Sequence, residues 1–173
     1  MQKERLNYLK NRIRKEMDIG YFSFFIDNIG DNSKLRTYKL FKKNFEVEEY
    51  LKVECIPLAY RHLFCAIRIS AHDLEIERGR YGAKHVKPED RMCKLCKEEA
   101  ETEEHFVLSC PAYVDLRRNM FQQIGESDST IYNVNFNCRL SYLFNSKSKD
   151  VMICVMKYLW NAYRHREKLL QKQ

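Results

Sequence analysis

The chain has 173 residues, enough for one domain of ordinary size around a single core. Its 45% hydrophobic and 13% aromatic content excludes a disordered tail, and five glycines and three prolines beside 32% charged residues disfavour a turn-rich β-sandwich. The net charge of +7 is uneven: residues 1–45 hold eleven Lys/Arg against five acids, 46–104 ten against fourteen, and 105–173 ten against five. Two basic ends around an acidic middle suit an anionic partner such as nucleic acid.

Met1–Lys15 is charged throughout and has no apolar centre, so no signal peptide is expected. No apolar run approaches the roughly 20 residues of a membrane span, so no membrane partner is expected. Seven cysteines without a secretory signal point to thiols or metal ligands in a reducing, intracellular compartment, nuclear or cytoplasmic.

Leu6, Leu9, Ile13 and Met17 make one helical stripe, predicting an amphipathic first helix that closes near Gly20. The apolar run Tyr21–Ile26 follows as a buried strand or helix end. Gly30–Ser33 reads as a turn, with Ser33 capping a helix over Lys34–Asn44. Pro57 suits a first helical position, and Leu58–Leu74 continues without a breaker. Arg78–Pro88 is a basic loop. Pro111 opens another helix to about Gln123, with Tyr113, Leu116, Met120 and Ile124 on its apolar side. Gly125–Thr130 is a polar loop, and Cys138–Phe144 a short helix. Asp150 is expected to cap the last long helix, whose stripe is Met152, Val155, Met156, Leu159 and Tyr163. Cys55, Cys65 and Cys154 sit in apolar stripes as core or half-buried thiols, and Cys138 lies near one.

The fold class is therefore all-α, a helical domain with a small CCHC zinc-knuckle insert. It divides into an N-terminal helical segment (1–77), the basic loop and knuckle (78–113), and C-terminal helices on the same core (114–173).

The most specific pattern is Cys93, Cys96, His105 and Cys110, spaced C-x2-C-x8-H-x4-C. A two-residue gap lets one tight turn aim two sulfurs at one metal, at about 2.3 Å for zinc. Thr102 can cap a helical turn that brings His105 and Cys110 to the same centre. Four protein ligands leave no place for water, so the cofactor is expected to be one structural Zn2+. His85, eight residues before Cys93, is the alternative ligand.

Arg91-x-Cys93-x-Leu95-Cys96, Glu101–Leu108, Cys110-Pro111, Tyr113 and Arg117 resemble the zinc-binding region beyond the polymerase domain of non-LTR (LINE-type) retrotransposon reverse transcriptases. Ser33–Tyr38 and Arg68–His72, with Leu74, Ile76-Glu77 and Gly79–Tyr81, resemble the segment preceding that motif, so the similarity covers residues 33–170. The resemblance implies a nucleic-acid-handling appendage, with RNA or DNA and the polymerase domain of a parent protein as partners. Phe25-Ile26-Asp27-Asn28 lacks the second acid of a polymerase centre, and two-metal chemistry needs acidic ligands for both ions. No enzyme is expected. Ser70, His72 and Asp73 have the residue types of a hydrolase triad but lie within four positions on one predicted helix, facing different ways.

The expected polyanion surface is Arg78, Arg80, Tyr81, Lys84, Lys87, Arg91, Lys94 and Lys97, joined by Arg117 and Arg118. Tyr81 there can stack on bases. The loop between Cys96 and His105, with Glu98, Glu99, Glu101, Glu103 and Glu104, should repel phosphate. The competing expectation is a protein-interaction scaffold in which zinc only staples helices.

Overall fold

A computed structural model describes residues 2–30, 35, 37–42, 46–81 and 86–172. Asp31–Lys34, Asn44, Lys84 and His85 lie outside them, and with them the expected turn, the Ser33 cap and the alternative ligand.

The described residues form helices, with one isolated bridge, Met92 to Ala100, and no strand. In chain order the helices are α1 (Gln2–Gly30), α2 (Tyr38–Phe41), α3 (Glu49–Lys52), α4 (Leu58–Arg68) and α5 (Glu75–Arg78), then α6 (Val114–Ser127), α7 (Phe136–Asn145) and α8 (Lys149–Leu170). Short 3-10 turns cover Pro88–Asp90, Pro111–Tyr113 and Ser129–Asn133, and a π turn covers His105–Ser109. No helix among the described residues is long and apolar enough to cross a membrane.

Helix α8 organises the core. Its buried stripe of Met152, Val155, Met156, Leu159 and Ala162 packs against α4, α6 and α7, which contribute Phe64 and Ile67, Met120 and Ile124, and Leu140 and Leu143. Phe144 stacks between Phe41 and Phe64, with ring centres 4.9 Å from each. Arg68 lies over the rings of Phe41, Tyr50 and Phe64 and pairs with Glu48 at 2.8 Å. Burial outweighs that carboxylate and lowers the Arg68 pKa.

Several boundaries differ from the sequence expectation. Helix α1 runs through Gly20 and takes in Tyr21–Ile26, because an exposed glycine costs a helix only about 1 kcal/mol and does not break it. Of the helix expected over Lys34–Asn44, the described residues include α2. Helix α4 stops at Arg68, not Leu74, since Ser70 has φ 54°, a left-handed conformation that ends helices. Ser70, His72 and Asp73 therefore share no helix. Helix α6 continues to Ser127, past the expected loop at Gly125. Ser148, not Asp150, caps α8, its side chain accepting from the Val151 amide. Cys55 is exposed and not part of a buried stripe.

Candidate metal centre

The four expected ligands converge. Cys93, Cys96, His105 and Cys110 bring one ligand atom each to within 4.8 Å of one another, and Cys93, His105 and Cys110 are buried. The Cys93 and Cys110 sulfurs are 3.9 Å apart, and Cys96 Sγ is 3.3 Å from His105 Nε2. A tetrahedral centre with metal–sulfur distances of about 2.3 Å needs sulfur separations of about 3.8 Å. The donor set fits such an ion.

Local backbone explains the fit. The Lys97 amide bonds to the Cys93 carbonyl at 2.9 Å, closing a turn that carries both sulfurs on one side. Lys97 exits that turn at φ 61°, in the left-handed region. The Cys93 amide bonds to the Glu99 carbonyl at 2.8 Å and the Glu101 amide to the Arg91 carbonyl at 2.9 Å, so the two limbs lie side by side. Thr102 Oγ1 accepts from the His105 amide at 3.0 Å, as expected of a cap. The Cys110 amide then reaches back five residues to the His105 carbonyl at 2.8 Å. That bond makes the turn a π turn, wider than an α turn, which brings the ends of H-x4-C together.

The electrostatics suit a cation. The Cys93 and Cys110 sulfurs share a hydrogen bond, which lowers the Cys93 pKa and raises that of Cys110. Burial alone would lower His105, but its hydrogen bonds to Cys93 and Glu99 prevail and push it up to about 9. His105 Nδ1 faces the Glu99 carboxylate at 2.9 Å, which leaves Nε2 directed at the sulfurs. A carboxylate on the far ring nitrogen fixes the ring orientation of a ligating histidine.

Around this centre lies a buried polar network that local sequence patterns did not announce. Arg166 on α8 donates from Nε and Nη2 to the two oxygens of Glu101, both at 2.8 Å. Glu101 also accepts from the Glu75 amide at 2.8 Å and stands 3.8 Å from Cys93 Sγ. Glu103 accepts from Ser70 Oγ at 3.0 Å and faces His72 Nε2 at 2.8 Å. The Leu74 amide donates to His72 Nδ1, so it is Nε2–H that donates to Glu103. Glu101 and Glu103 are thus interior residues at 0% and 1% exposure, and only Glu98, Glu99 and Glu104 of the expected acidic loop face solvent. The triad-like Ser70 and His72 serve this network.

The expected nucleic-acid residues divide. Arg91 is buried, its guanidinium donating to the Val86 and Ile76 carbonyls at 2.9 and 2.5 Å, so it is not open to phosphate. Gly79 permits this, since a Cβ there would stand 2.7 Å from the Arg91 stem. Arg117 donates to the Cys110 carbonyl at 2.8 Å, and Arg80 pairs with Glu77 at 3.1 Å, so both are largely committed to the fold. Arg78, Tyr81, Lys87, Lys94, Lys97 and Arg118 have solvent-accessible side chains. Of these, Lys94 pairs with Glu75 at 2.8 Å, Arg78 with the same carboxylate at 3.9 Å, and Arg118 with Asp115 at 2.9 Å.

A scan of known protein families, a search of characterised proteins and a search of solved structures each find no match to this chain.

Proposed function

We propose that Cys93, Cys96, His105 and Cys110 hold one structural zinc ion in a CCHC knuckle inserted in the helical domain, and that the chain is a nucleic-acid-binding module. Three thiolates with one imidazole suit zinc, and four protein ligands close the shell to substrate, so the metal's part is to hold the fold. The module resembles the region downstream of the polymerase in non-LTR retrotransposon reverse transcriptases and has no polymerase activity itself. The two stretches that carry that likeness are in contact: Ser70 and His72 of the earlier segment bond to Glu103 of the motif, and Arg91 of the motif donates to the Ile76 carbonyl.

The observation that carries the binding proposal is the strip of sequence leading into and through the four-residue cluster, in which the exposed Arg78, Lys87, Lys94 and Lys97 accompany Tyr81, a ring 72% exposed. Lysines and arginines there can contact phosphates while the tyrosine stacks on a base. The test is anisotropy of a labelled single-stranded RNA or DNA across a salt series, with the zinc content measured on the same sample. Affinity that falls linearly on a log–log salt plot is expected; no binding at low salt removes the proposal for this chain.

A zinc-stapled protein-interaction scaffold is the second reading. It is favoured by the commitment of Arg80, Arg91 and Arg117 to the fold and by the exposed apolar side chains of α1.

A further inference from the structure

Helix α1 carries apolar side chains on two faces, and only one of them is used. At its C-terminal end Phe22, Phe25 and Ile26 turn toward the body of the domain, where Phe25 meets Tyr38 edge-on at 6.3 Å. At 100° per residue, Leu6, Leu9, Ile13, Met17, Tyr21 and Phe24 fall on the roughly opposite face. All six are exposed, between 46% and 68%. Every described side chain from Glu4 to Tyr21 is likewise exposed, so the helix projects beyond the core that α8 organises. A contiguous apolar stripe of this kind on a soluble domain marks an interaction site.

The charges select the occupant. Residues 3–15 hold six Lys/Arg against Glu4 alone, while residues 16–30 hold Glu16, Asp18 and Asp27 and no base. We propose that this face pairs antiparallel with the same face of α1 in a second copy of the chain. Two copies aligned head to tail set the basic half of one helix along the acidic half of the other, whereas a parallel pair sets like charge against like.

The apolar register agrees. A twofold axis at residue 15 places Leu6 opposite Phe24, Leu9 opposite Tyr21, and Ile13 opposite Met17, while Lys15 itself points away from the stripe. Arg5, Arg12, Glu16 and Asp27 share one flank of the stripe, and the antiparallel twofold brings this flank against itself. Arg5 then approaches Asp27 of the second copy, and Arg12 approaches its Glu16. The pairing uses neither the metal centre nor the basic strip, so it stands or falls apart from the proposed function.

Sedimentation of the full chain at low salt tests it. A dimer forming at tens of micromolar or below is expected, weakening as salt rises. Ile13→Glu with Met17→Glu should raise its dissociation constant at least about tenfold without loss of helix, since both side chains are exposed in the monomer. Arg5→Glu with Arg12→Glu should be monomeric, as should Glu16→Lys with Asp27→Lys, and mixing the two variants should restore a dimer. A chain that stays monomeric throughout, a dimer indifferent to these changes, or a dimer strengthened by salt overturns the proposal. So does a monomer whose α1 variants lose RNA binding, which would assign the face to nucleic acid.

Discussion

Glu101 and Arg166 stand 65 residues apart in the chain and meet in the interior as a two-pronged ion pair, with both contacts at 2.8 Å. Glu101 lies on the limb between Cys96 and His105 and Arg166 on the last turns of α8, so the pair ties the candidate metal centre to the helix that organises the core. Burial would lower the Arg166 pKa, but the hydrogen bonds and charge of Glu101 outweigh it and hold the guanidinium above its ordinary value.

Removing one partner strands a buried charge. Arg166→Met should destabilise the domain by about 3–5 kcal/mol, because Glu101 then has no cation to face. Combining it with Glu101→Gln should cost less than the two single changes together. Urea unfolding of the four proteins gives the coupling energy; additivity would mean that the pair contributes nothing of its own.

Zinc should be lost when either end of the ligand set is cut. Cys93→Ser and His105→Ala should fall below stoichiometric metal, whereas Cys55→Ser and Cys154→Ser should keep it, since neither thiol is in the cluster. Zinc must displace the proton held by Cys110, whose pKa is raised, so affinity should fall as pH falls. A competition titration with a chromophoric chelator between about pH 8 and about pH 6, conditions chosen around neutrality, measures that slope. Chelation should leave the far-ultraviolet helix signal largely intact, because α8 packs directly on α4, α6 and α7 in addition to the turn that carries His105.

The exposed bases and the buried ones should behave differently. Changing Arg78, Lys87 and Lys97 together to Ala should weaken RNA or DNA binding and flatten the log–log salt slope by about 0.7–0.9 for each phosphate no longer neutralised, with zinc retained. Arg91→Ala should instead lower stability, because the Val86 and Ile76 carbonyls lose their donor. Glu98→Gln with Glu104→Gln, both on the surface, should tighten binding modestly by relieving repulsion. Comparing thermal melts with salt titrations for all three separates the roles.

The π turn depends on a distant hydroxyl. Tyr158 on α8 donates to the Phe106 and Val107 carbonyls at 3.0 and 3.1 Å, and all three residues are buried. Tyr158→Phe removes the donor and keeps the ring, so it should cost about 1–3 kcal/mol for carbonyls left unpaired. It should also weaken zinc, since those carbonyls belong to the turn that joins His105 to Cys110. Unchanged stability and unchanged zinc affinity would show that the turn holds its shape unaided.

How much of this was legible in the sequence followed the range of the interactions. The clustering of Cys93, Cys96, His105 and Cys110 could be read because a two-residue gap and a capped turn are local devices, each set by a few neighbouring residues. The stripes of α6 and α8 were legible for the same reason, as periodicity along one element reports its buried face. The end of α4 was not, because the left-handed Ser70 is held by Thr37 and Glu103, 33 residues away on either side. Nor could the charges Glu101, Arg91 and Arg166 be told from solvated ones by type or by spacing. A buried charge is tolerable only where a partner from another element meets it, and that meeting exists only after the chain has folded.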